Sequence, residues 1–151
     1  MKYCSLSKIR DILDRVERNK THIFSKEPEM IVVLNQNISS IITDNNVHIS
    51  EFIVAKIKGR IRNNRGHSEI NQKIFLSIPN TLNNPSRIYI DHRKTERNKY
   101  LFVSLKPSHQ IVVEVKRIES GKTEINSIIP LGKRTLKQLG NKFQAVYSGL
   151  H

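Results

Sequence analysis

At 151 residues, with 26 Lys and Arg against 13 Asp and Glu, the chain has the size of one domain and a formal net charge of +13, which points toward phosphate-bearing, acidic or anionic-membrane partners. Its only cysteine, Cys4, excludes an internal disulfide framework and a cysteine-rich zinc site. No apolar run approaches the roughly 20 residues of a membrane-spanning helix.

In chain order, Leu6, Ile9, Ile12, Leu13 and Val16 recur at three- and four-residue steps and predict an amphipathic helix over Ser5 to Asn19. The charge of that segment predicts no secretory leader. Met30 to Leu34 reads as a short strand, and Asp44-Asn45-Asn46 breaks the chain. Ile49, Phe52, Ile53, Ile57 and Ile61 then lay an apolar stripe on a basic helix predicted from His48 to Arg62. Ser68 can cap a third helix carrying Ile70, Ile74, Phe75 and Ile78, which Pro79 and Asn84-Pro85 stop.

The second half changes period. Arg87 to Asp91, Tyr100 to Lys106, Gln110 to Ile118 and Glu124 to Ile129 alternate as strands, and the short turns at Pro107-Ser108-His109 and Glu119-Ser120-Gly121-Lys122 force antiparallel neighbours. A short helix over Lys133 to Leu139 and an edge strand over Phe143 to Tyr147 complete the chain. The expected class is α+β, with N-terminal helices packed on one face of a C-terminal four- to five-stranded antiparallel sheet. An entry region over 1–46 precedes a core over 47–151.

Two stretches carry positive charge of one sign. Lys56, Lys58, Arg60, Arg62 and Arg65 lie between Glu51 and Glu69 with no acidic residue among them, and Lys133, Arg134, Lys137 and Lys142 follow Glu124, the last acidic residue. The four Asp residues are scattered, so two-metal phosphate chemistry lacks ligands, and no metal or cofactor is expected. No phosphate-binding glycine loop, dinucleotide fingerprint, nucleophile elbow or zinc-protease helix is present. Six histidines among many cations suit RNA cleavage without metal. One group takes the proton of the ribose 2′-hydroxyl, another protonates the leaving 5′-oxygen, and Lys or Arg steadies the phosphate.

The segments VHIS (Val47–Ser50), GHSEI opening the third helix, IPNTLNNPSRIYI (Ile78–Ile90), IVVEVKR (Ile111–Arg117) and EINSIIP (Glu124–Pro130) resemble the barnase–EndoU–colicin–RelE-like ribonuclease superfamily, in its phage and toxin branches. The resemblance covers a little over half of the chain and rests on order and rhythm. It implies a metal-independent endoribonuclease toxin that acts on RNA in the cytoplasm, including after delivery into a target cell, with tRNA among its candidate substrates. It also implies an acidic immunity protein or antitoxin as partner. By the family's order of two histidines, a lysine and a late hydroxyl, it assigns His48 and His67 as acid and base, Lys116 as transition-state cation and Ser127 as phosphate-positioning hydroxyl. Asn126, Arg134, Lys56, Arg60, Arg62 and Arg117 would contact RNA. The structural alternatives are cap-region histidines at 48 and 67, a solvated-face lysine at 116 and a core hydroxyl at 127. Two other functional classes are a noncatalytic basic nucleic-acid-binding module and a protein-interaction domain with an acidic partner.

Overall fold

The structure, a computed structural model, describes residues 5–61, 66, 70–91 and 99–149, less the side chains of residues 133 and 134. Helix α1 (Ser5–Arg18) forms because Ile9, Ile12, Leu13 and Val16 share one face and are all buried. Strand β1 (Glu29–Val33) follows, then α2 (Gln36–Ile42), a helix absent from the sequence expectation. Asn35 starts α2 by accepting from the Ile38 amide at 3.0 Å, and Thr43 ends it in a left-handed conformation at φ 57°.

The predicted helix from His48 to Arg62 is divided into β2 (Asn46–Ile49) and α3 (Glu51–Ile57). Ser50 makes the break. Its backbone is extended, and its hydroxyl caps α3 by accepting from the Ile53 amide at 3.2 Å, which leaves His48 in the strand. The predicted third helix is also divided, into α4 (Gln72–Leu76) and α5 (Ile78–Asn83), while Ser68 lies outside the described residues. Pro79 does not stop the chain's helical path. It sits in the first turn of α5, where a missing N–H loses no intrahelical bond.

Strands β3 (Arg87–Ile90), β4 (Lys99–Lys106), β5 (His109–Arg117) and β6 (Thr123–Pro130) form the expected meander, followed by α6 (Lys133–Lys142) and β7 (Gln144–Ser148). The class is α+β with most helices N-terminal, but the expected four- to five-stranded antiparallel sheet is corrected to a seven-stranded mixed one of order β1-β2-β6-β5-β4-β3-β7. Strand β2 is the reason. It pairs in parallel with β6 (Val47↔Thr123, His48↔Glu124) and antiparallel with β1, so two strands from before the meander extend its β6 side.

The N-terminal helices pack on one sheet face as expected, and the C-terminal α6 lies on the other. Helices α1 to α5 cover one face over a core that includes Ile12, Ile31, Phe75, Ile78, Phe102 and Ile125. On the opposite face α6 lays Leu136 and Leu139 over Leu101, Val103 and Val112. Arg15 donates at 2.6 Å to both Glu29 and Glu51, tying α1 to β1 and α3 on either side of β2 in the chain. Among the described residues no helix is long and apolar enough to cross a membrane.

The entry to β2 is anchored to β6 by the Thr123 hydroxyl, which donates to Asp44 Oδ2 at 2.7 Å. Burial pushes the Asp44 carboxyl up, but the Thr123 hydroxyl, the amides of Asn46 and Asn45 and the charge of Arg117 outweigh it and hold the group below its ordinary value. A carboxyl with a depressed folded-state pKa adds stability above its unfolded pKa, and that stability is lost as pH falls through the folded value. Thr123→Val is therefore expected to lower stability by about 1 kcal/mol at neutral pH. In denaturant melts the gap from wild type should narrow on acidification through that window. A gap independent of pH would assign the loss to packing.

Candidate functional site

On the sheet face opposite α1 to α5 an apolar cluster lies under α6. Beyond that helix the alternation of the strands puts polar side chains on the surface. Val47, Thr123, Val115 and Ile125 are buried, the valines and Ile125 in the core under α1 to α5, so their neighbours His48, Glu124 and Lys116 point the other way. Strand register then sets them in line. Met30, His48, Glu124, Lys116 and Lys99 are successive partners across β1, β2, β6, β5 and β4. With strands spaced about 4.8 Å apart, His48 and Lys116 flank Glu124 at a separation that one phosphodiester and its ribose can bridge.

A second row lies beside the first. Glu114 pairs with Ser127 on one side and Leu101 on the other. The β5/β6 register shifts between Glu114 and Val115, so Asn126 is the extra residue of a bulge and stands exposed at the edge of the strip.

The hydrogen bonds of this strip define its proton chemistry. His48 Nδ1 lies 3.2 Å from the Thr123 carbonyl oxygen, which can only accept, so Nδ1 carries a hydrogen and Nε2 is the nitrogen left for exchange. Burial raises the Glu124 carboxyl above its ordinary value, with a hydrogen bond from Ser50 opposing part of the rise. The result is a carboxylate more basic than a solvated one. In the second row one carboxylate gathers three donors: Lys99 Nζ at 2.5 Å, the Ser127 hydroxyl at 2.8 Å and Asn126 Nδ2 at 3.4 Å, all on Glu114. The strip thus holds a fixed imidazole, a perturbed carboxyl and two ammonium groups on one rigid surface.

Of the residues expected from the sequence, His48, Lys116 and Ser127 share this face, and Asn126 borders it. Arg117 follows Lys116 but points to the helix-covered side, where it donates to the Thr43 carbonyl at 3.0 Å and the Thr43 hydroxyl at 3.4 Å. Lys56 is exposed on α3, and Arg60, just beyond α3, pairs with Glu17 of α1, so both belong to the helical layer. His67, Arg62 and the side chain of Arg134 lie outside the described residues. Among the described residues no three His, Cys, Asp or Glu side chains group as a metal site.

Three members of the strip were not singled out from the sequence: Lys99, Glu114 and Glu124. Lys116 opposite Glu124 was open to inference, because a hairpin turning at Glu119 to Lys122 leaves those two residues facing each other. Glu124 beside His48 was not, since it depends on a parallel pairing between distant segments. No family model, curated protein or solved structure matches the chain.

Proposed function

We propose that this protein is a metal-independent endoribonuclease whose site is the polar strip of the sheet. The observation that carries the reading is the cross-strand run of His48, Glu124 and Lys116, all half-buried, on the sheet face that bears the α6 cluster but outside that cluster. Glu124, as carboxylate, takes the proton from a ribose 2′-hydroxyl. The 2′-oxygen attacks the adjacent phosphorus, and the bond to the 5′-oxygen breaks. His48, doubly protonated with Nδ1–H held on the Thr123 carbonyl, gives its Nε2 proton to that leaving oxygen. Lys116 steadies the charge that builds on the phosphoryl oxygens. The products are a 2′,3′-cyclic phosphate and a 5′-hydroxyl.

The net charge of +13 draws the polyanion in and makes its capture dependent on salt. A toxic role and an acidic inhibitor covering this strip belong to the same reading, with RNA of the cytoplasm as target. Electrostatic attraction would make that inhibitor's association fast.

The test is a 5′-labelled RNA incubated with purified protein in EDTA. Cleavage ending in 2′,3′-cyclic phosphate, and blocked by a 2′-deoxy substitution at the scissile position, is the expected result. Binding without cleavage, weakening steeply with salt, would replace the enzyme with a basic binding module. Absence of binding to RNA and DNA alike would point to an acidic protein partner.

A further inference from the structure

We infer that Glu114 is the positioning residue of this site, setting Lys99 against the phosphate and the Ser127 oxygen against a ribose hydroxyl without itself touching the substrate; the inference rests on the ribonuclease reading above. The starting point is a conflict of charge. Lys99 and Lys116 are direct cross-strand partners, and two ammonium groups facing each other across adjacent strands repel. Glu114 lies on the same face, two residues before Lys116 on β5, and its carboxylate takes the Lys99 ammonium at 2.5 Å. The pair is largely withdrawn from water, with side-chain exposures of 17% and 16%, so it is screened less than a surface pair. Lys99 is thereby drawn into the second row.

The same carboxylate also orients the hydroxyl. Ser127 donates its only hydroxyl hydrogen to Glu114 at 2.8 Å, so the oxygen it presents elsewhere can only accept. Ser127 in this state receives a hydrogen bond from the substrate, as from a ribose hydroxyl, and does not donate one to a phosphate. That differs from the role the family resemblance implies for it. The phosphate donors are then Lys116 in the first row and Lys99 in the second, one on each side of the bound chain.

Glu114 carries negative charge into a site for a polyanion, so its removal has two opposed effects. RNA should bind more tightly, because one repulsive charge is gone, while the chemical step should slow, because Lys99 and the Ser127 hydroxyl are no longer held. A residue that served stability alone would not separate the two. The experiment measures single-turnover cleavage of the labelled RNA, the Kd for its uncleavable 2′-deoxy analogue, and the melting temperature, for wild type, Glu114→Gln, Glu114→Ala, Lys99→Ala and the Lys99→Ala/Glu114→Ala pair.

The expected result is a cleavage rate reduced about tenfold or more in Glu114→Ala with Kd unchanged or lower, an intermediate rate in Glu114→Gln, and little further loss when Glu114→Ala is added to Lys99→Ala. Wild-type cleavage matched by Glu114→Gln and Glu114→Ala, or a loss that persists in full in the Lys99→Ala background, would overturn the inference while leaving the ribonuclease reading in place. No cleavage by the wild type in EDTA would overturn both.

Discussion

His48→Gln is expected to keep the fold and the affinity for RNA while lowering the single-turnover cleavage rate by about 10²- to 10⁴-fold, the range that a general acid contributes. Glutamine suits the test because its side-chain amide takes roughly the place of Nε2, the reacting nitrogen, and gives up only the bond from Nδ1 to the Thr123 carbonyl at 3.2 Å. It cannot deliver a proton to a departing alkoxide. His48 is half-buried at the margin of the strip with Met30 and Glu124 as its cross-strand partners, so the change leaves no large cavity. The matched measurement is His67→Ala, because the family resemblance assigns the second imidazole there. Full activity in His48→Gln together with loss in His67→Ala would move the acid to position 67 and remove His48 from the mechanism.

Glu124→Gln is expected to cost about 10²-fold or more in rate and to abolish the acidic limb of the pH–rate profile. In the wild type a base must be deprotonated, so activity rises with pH through the carboxyl's own pKa. Burial sets that pKa above the ordinary glutamate value, and the wild-type limb should lie correspondingly higher in pH than a solvated glutamate would place it. Ser50 sharpens the test. Its hydrogen bond favours the charged form of Glu124, so Ser50→Ala should move the limb further up in pH while leaving it present. Because Ser50 also caps α3, that variant should lose about 1 kcal/mol of stability, and its profile is to be recorded well below its melting temperature. An acidic limb that survives in Glu124→Gln would show that another group accepts the 2′-hydroxyl proton.

The meander was legible in the chain because its signals are local. Strands β3 to β6 fall within a residue or two of the alternating runs, bounded by Pro, Ser, Gly and Lys turns. The α1 stripe was legible for the same reason, as were α6 and β7. Strand β2 was not, because Ile49 fits both a two-residue and a 3.6-residue period and four residues are too few to decide between them. Reading His48 as the head of a helix followed directly, and only the capping geometry at Ser50 separates it from α3. The basic stretch from Lys56 to Arg60 looked like an RNA-binding face in one dimension. In three, α3 packs on α1 and Lys58 and Arg60 both pair with Glu17, while Lys56 stays exposed, so the stretch belongs to the helical layer and not to the strip.

What the amino-acid order determined by itself is a cationic α+β chain with an antiparallel meander and, through one hairpin, Lys116 facing Glu124. Tertiary structure alone decided that β2 would lie parallel to β6, that α6 would pack on the second sheet face, and that His48, Glu124, Lys116 and Lys99 would be successive partners in one row. The physical reason lies in the range of the interactions. Hairpin register follows from a few dihedrals in a turn, whereas the neighbour of His48 is 76 positions away (124 − 48) and is selected by which packing buries Val47, Ile49 and Ile125 together in a single core.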